Sequence, residues 1–158
     1  MSIDSALFRS VLGRFASGVT VVTTRDADGR DHGMTVSAFS SVSLEPPLVL
    51  CCIERRATMH PVLERARTFA VNILSASQEA LSRRFSEREN ERFDGIGYER
   101  GQSGAALLEG VLAYLECRIV ARHEAGDHTI FVGEVENADA HRGTPLLYYR
   151  GGYAQLGQ

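Results

Sequence analysis

The sequence predicts a mainly β protein, an antiparallel barrel with a few flanking helices. Three observations predict it. Segments rich in β-branched residues follow one another with turn signals between them, the order expected of hairpins. Helical periodicity is confined to a few short stretches. The 158 residues, 44% hydrophobic and 23% charged, suffice for one domain, residues 1–158, that buries a core without disulfide staples.

Asp4 to Phe15 reads as an amphipathic helix, with Leu7, Phe8, Val11, Leu12 and Phe15 at helical spacing and Asp4 or Ser5 as cap. Gly18 ends it, and GVTVVTTR is the first strand. Asp26 to Gly29 is a turn. His32 to Leu44 reads as one long strand closed by Pro46 and Pro47. Leu48 to Ile53 is a buried strand, Ala57 to Ala66 a short helix, and Thr68 to Leu74 another strand. Ser77 to Phe85 is a helix capped by Ser75 or Ser77. Ser86 to Gly104 reads as a long polar loop. Val111 to Arg122 and Thr129 to Ala138 flank a turn at Glu124 to Asp127, and Leu146 to Tyr149 and Tyr153 to Leu156 are short strands. That makes about six or seven strands and two or three helices.

Composition and motifs exclude several functions. A formal net charge of −3 offers no basic footprint for nucleic acid. No apolar run approaches the roughly 20 residues that span a bilayer. MSIDSALFRS lacks the basic and apolar regions of a signal peptide. Three cysteines, two of them adjacent (Cys51 and Cys52), are no disulfide framework, and a cytoplasmic setting is expected. Cys117, among apolar residues, reads as packing. The histidines are scattered without ligand spacing, so no metal is expected. Gly95-Ile96-Gly97 begins like a dinucleotide fingerprint, but Arg100 stands at the third glycine and no strand precedes it. No Gly-x-Ser-x-Gly elbow is present.

One stretch carries a functional signal. Gly33 to Ser43, GMTVSAFSSVS, places small hydroxyl residues where a core strand would carry large apolar ones. Small side chains let a ligand approach the backbone and be recognised by its N–H and C=O groups. A half-exposed strand with its hydroxyls in water has the same pattern.

The succession GVTVVTT, MTVSAFSSVSLEPPLVLCCI, FAVNIL, RRFS, GDHTIFVGEV and PLLYYRGGY resembles the flavin-reductase-like family over about Phe8 to Leu156. It is most similar in pattern to the short-chain reductase components of two-component flavin monooxygenases. The resemblance implies an FMN-binding split β-barrel of Greek-key type. It implies an NAD(P)H-dependent reductase that reduces FMN or FAD and releases it to a flavin-dependent monooxygenase, and it implies a homodimer. NADH is the nucleotide such relatives prefer; for NADPH, Arg83, Arg88 and Arg92 are candidate contacts to the extra phosphate. The alternatives are a non-enzymatic flavin-binding or electron-transfer module and a tightly flavin-bound oxidase on the same barrel.

By the same resemblance, Thr35, Val36, Ser37 and Ala38 meet the flavin ring and ribityl chain, largely through backbone groups. Cys52, Ile53, Arg55, Arg56 and Thr58 hold its phosphate end, where guanidinium suits phosphate; the arginines would equally suit a solvated turn. Asn72 takes either a flavin-side partner or a backbone carbonyl. Arg84, Phe85 and Ser86 match a segment near the flavin, although Phe85 also fits the core. His128 matches a histidine beside the flavin and nicotinamide, where it orients either cofactor; otherwise it closes the hairpin. Tyr153 belongs near the same site or to the barrel packing. Relatives often carry Asn-Ser or Ser-Ser where this chain has Ser37-Ala38, which leaves FMN against FAD open.

Overall fold

A computed structural model describes residues 2–87 and 92–157; Arg88, and with it residues 88–91 of the long polar loop, lies outside the described residues. In chain order the elements are α1 (Ser5–Leu12), β1 (Ser17–Gly18), β2 (Thr20–Arg25), β3 (Asp31–Val36), β4 (Phe39–Ser43), β5 (Leu48–Glu54), α2 (His60–Arg65) and β6 (Thr68–Ile73). A 3₁₀ turn (Ala76–Gln78) leads into α3 (Glu79–Ser86), followed by β7 (Tyr98–Arg100), β8 (Ala106–Leu108), β9 (Ala113–Ala125), β10 (His128–Ala140), β11 (Leu147–Tyr149) and β12 (Gly152–Ala154). The protein is mainly β, and every strand pairing is antiparallel. Seven strands form one sheet in the order β3-β2-β6-β9-β10-β5-β4, beside a small sheet β1-β11-β12 and the hairpin β7-β8. No helix among the described residues is long and apolar enough to cross a membrane.

The β-branched run of β2 explains its place. Side chains alternate across a strand, and here both faces are covered. Val22 joins a core with Val36, Cys51, Ile53, Phe69 and Phe131. Val19 and Val21 join a second core with Leu74, Phe85, Leu108 and Leu146. The interleaved hydroxyls are not stranded: Thr20 donates to the Val36 carbonyl at 2.6 Å and Thr23 to that of Ala106 at 2.7 Å. Among the described residues Glu116 is the buried carboxylate. Burial pushes its pKa up, but hydrogen bonds from Asn137, from the Ser103 side chain and from backbone N–H groups outweigh that and hold it below the ordinary glutamate range.

The stretch read as one strand from His32 to Leu44 is two, β3 and β4, broken at Ser37 and Ala38. β3 and β4 are opposite edges of the large sheet, so this two-residue link carries the chain from one edge to the other. The polar loop also holds a strand, β7, which pairs with β8. Both C-terminal strands form, shorter than expected, at β11 and β12.

Candidate functional site

The break at Ser37 opens beside α3. Gly33 makes this possible: a Cβ there would meet the Phe85 ring at 2.7 Å, so only glycine lets the helix lie this close to β3. Phe85 is fully buried and packs edge-on against Phe93 with centroids 5.1 Å apart. It anchors the helix in the core, and one turn earlier Ser82 comes beside Thr35. The Thr35 hydroxyl donates to the Ser82 carbonyl at 2.6 Å, and the Ser86 hydroxyl donates to the same oxygen at 2.8 Å. The Ser82 hydroxyl shares a 2.7 Å hydrogen bond with the Tyr153 phenol.

These groups enclose a cavity of about 200 Å³, lined by Val19, Thr35, Ser37, Ser82, Ser86, Tyr148 and Tyr153. Its wall combines hydroxyls with two aromatic rings, which stack edge-on 5.5 Å apart. Four residues nominated from the sequence meet here: Thr35, Ser37, Ser86 and Tyr153. Three others, Val19, Ser82 and Tyr148, were missed. Ser82 had one available signal, a small polar residue on the same helix face as Phe85.

A second group gathers around the end of β5. His128 pairs in register with Glu54, and the Arg55 N–H donates to the Asp127 carbonyl at 2.9 Å. His128 Nδ1 lies 2.7 Å from Asp127 Oδ1. That hydrogen bond, followed by the charge of His128, holds the Asp127 carboxyl below its usual range, with a smaller contribution from Arg56. Arg55 reaches Glu124 at 3.4 Å, and Arg56 and Thr58 are exposed. The two groups are joined through the backbone, since the Cys52 N–H donates to the Ala38 carbonyl at 3.0 Å.

The remaining nominated side chains lie elsewhere. Val36 turns into the core, and its carbonyl is taken by Thr20. Ile53 is fully buried in the core and pairs in register with Thr129 of β10. Asn72 is fully buried away from the cavity: it donates to the Val21 carbonyl at 2.9 Å and accepts the Leu108 N–H at 2.9 Å. Of its two possible roles, the backbone partnership is the one present. Arg84 reaches the carbonyls of Arg92 and Asp94 and lines a different cavity with Gln78 and Glu109. Phe85 serves the core.

Side-chain chemistry beyond hydrogen bonding is sparse. Burial pushes the pKa of Cys51 far up, that of Cys117 up to about 12, and that of Cys52 up as well, so no thiol is poised as a nucleophile. Among the described residues no group of three or more His, Cys, Asp or Glu is placed to hold a metal ion. What the site provides is a walled cavity, a hydroxyl network and two sheet edges whose outward backbone groups have no strand partner. That equipment suits binding and orientation of a ligand that brings its own reactivity.

The chain is similar to known proteins. A family model described as flavin reductase like domain matches residues 12–157. The chain is 44% identical over 153 residues to an FMN reductase (NADH) of Agrobacterium fabrum, covering 97% of this chain and 87% of that protein. It is 43% identical over 154 residues to the reductase component of a 4-nitrophenol 4-monooxygenase/4-nitrocatechol 2-monooxygenase of Rhodococcus opacus, covering 98% and 82%. Among solved structures it is similar to an NADH:FAD oxidoreductase of Streptomyces globisporus in complex with NAD and FAD fragments: TM-score 0.93 and 42% identity over 98% of this chain and 93% of that one.

Proposed function

The chain belongs to the flavin reductase like domain family, and from that premise we infer that it is an NADH-dependent flavin reductase supplying reduced flavin to a partner monooxygenase. The observation that carries this reading is the identity of 43–44% over nearly the whole chain to relatives named for that activity, combined with a cavity equipped to orient rather than to react. Neither alternative, a binding module or a tightly bound oxidase, has an observation in its favour. Relatives are named for FMN and for FAD, so both are candidate substrates.

The residues fit a flavin. Ser37 and Ala38 are exposed at the link between two free sheet edges, where backbone donors and acceptors can read a heterocycle. A flavin held there would supply the hydride acceptor for the nicotinamide. The protein's share is to hold the partners in line, and such positioning can supply roughly 7–11 kcal/mol at best. Thr35, Ser82 and Tyr153 lock one another by hydrogen bonds and so present a fixed wall. In our reading the Arg55–Thr58 turn holds the phosphate end, and His128, oriented by Asp127, faces the nicotinamide side. The cavity and the turn then form two parts of one site in a split β-barrel, with residues 1–158 acting as one domain. Three free thiols suit the reducing cytoplasm.

Flavin-dependent turnover tests the function. Protein stripped of flavin by gel filtration should oxidise NADH only when FMN or FAD is added, with saturation in flavin. Turnover at full rate without added flavin would favour a tightly bound oxidase. The phosphate assignment has its own test. Arg55→Ala with Arg56→Ala should raise the apparent flavin constant about tenfold, the loss of one charge-assisted contact. An unmoved constant would place the phosphate elsewhere.

A homodimer completes the reading. α1 has no buried residue, and Leu7, Phe8, Val11 and Leu12 are each more than half exposed along one face. An apolar stripe of this kind is normally covered, and a second copy is the proposed cover. Light scattering at micromolar concentration should give twice the chain mass; a clean monomer would contradict this.

A further inference from the structure

A separate concave site lies where the tip of the β11–β12 hairpin meets α1. Its cavity of about 380 Å³ is lined by three arginines, Arg9, Arg14 and Arg150, together with Ser10, Gly13 and Gly151. No acidic side chain lines it, in a chain that carries 20 acidic against 17 basic residues. Several arginines elsewhere are engaged: Arg55, Arg83, Arg100 and Arg118 pair with carboxylates, and Arg25 and Arg122 donate to carbonyls. Among the described residues, the guanidinium groups of Arg9, Arg14 and Arg150 have neither an ion pair nor a hydrogen bond.

The backbone points the same way. Tyr149 pairs with Gly152, so Arg150 and Gly151 form a two-residue hairpin loop, with φ of 52° and 76°. Positive φ at both positions is the signature of a type I′ turn, for which Asn-Gly or Gly-Gly is preferred. Arg150 is the one non-glycine residue with positive φ among the described residues. A long side chain there is disfavoured, and such outliers concentrate at ligand sites. The tip is pinned where it stands: the Arg150 N–H donates to the Gly13 carbonyl at 2.9 Å.

We propose that Arg9, Arg14 and Arg150 form a phosphoryl-binding site, separate from the Arg55–Thr58 turn. Guanidinium pairs with phosphate oxygens in bidentate fashion, and three of them lining one cavity without a carboxylate suit a multiply charged anion. The phosphoryl group can belong to a nicotinamide dinucleotide, to a flavin nucleotide or to free phosphate.

Calorimetric titration with inorganic pyrophosphate at constant ionic strength tests this without turnover, so its outcome is independent of the reductase reading. The wild type should bind. Arg9→Gln, Arg14→Gln and Arg150→Asn should each bind about tenfold more weakly. Arg150→Asn places the preferred Asn-Gly pair in the turn, so its Tm should hold or rise, which separates lost binding from lost folding. The variants then identify the source. A raised KM for NADPH or NADH assigns the site to the dinucleotide, and a raised constant for FMN but not riboflavin assigns it to the flavin. Weakened pyrophosphate binding with every nucleotide constant unchanged assigns it to free phosphate. No binding by the wild type, or equal binding by all three variants, would overturn the proposal. Binding of polyglutamate but not pyrophosphate would overturn it in favour of an acidic protein segment.

Discussion

Asn72→Ala is expected to lower folding stability by about 3 kcal/mol, because leaving a buried polar group unsatisfied costs about 1–3 kcal/mol and more than one is left. Asn72 lies in β6, between β2 and β9. Its amide nitrogen donates to the Val21 carbonyl at 2.9 Å and to Thr23 Oγ1 at 3.2 Å, and its oxygen accepts the Leu108 N–H at 2.9 Å. One side chain therefore ties β2 and the β7–β8 hairpin to the sheet. Alanine strands the Leu108 N–H and a bond to the Val21 carbonyl where water does not reach. In a chain of this length the Tm should fall by about 10 °C. Urea melts measure the loss, and flavin kinetics below the transition should be near normal. A stability change under about 1 kcal/mol with a large rise in the flavin constant would instead mean that the amide serves the ligand.

His128→Ala carries the largest expected effect on activity. His128 stands at the start of β10, opposite Glu54, with Nδ1 hydrogen-bonded to Asp127. A ring held in this way can orient a neighbouring nicotinamide or flavin without changing its own structure. Losing that orientation should lower kcat about 10- to 100-fold, the scale of a small misplacement of the reacting groups. The flavin constant should stay within about twofold, since uniform binding is not its role. Asp127→Asn should give a smaller loss of the same kind, because it weakens the bond that orients the ring. Normal kcat for His128→Ala at saturating NADH and flavin would leave the histidine as a turn residue only.

Much of this was legible in the residues. The turn and strand signals predict β2, β5, β6, β9 and β10 within a few positions, and of the two candidate caps for α1, Asp4 and Ser5, Asp4 is the one that serves. What escaped has physical causes. The break at Ser37 and Ala38 carries neither glycine nor proline, so nothing local marks the point where one sheet edge leaves for the other. Ser82, Val19 and Tyr148 reach the cavity only through packing between elements distant in the sequence, and α3 finds its place because Gly33 admits Phe85. Asn72 illustrates the converse: its type and setting required a partner, yet only the fold decides that the partner is backbone. For Arg84, the family resemblance implied a place beside Ser86 near the flavin, but helical geometry turns neighbouring side chains to different faces.

In the proposed function the protein passes a hydride from NADH to a flavin that enters and leaves. Anaerobic mixing of catalytic protein with NADH and an excess of FMN or FAD tests it most directly, with flavin bleaching followed against NADH loss and the flavin recovered by ultrafiltration. Many flavins should be reduced per protein, one for each NADH, with the reduced flavin in the filtrate. Bleaching no faster than without protein, for both flavins, or reduction that stops after one flavin per chain, would contradict it.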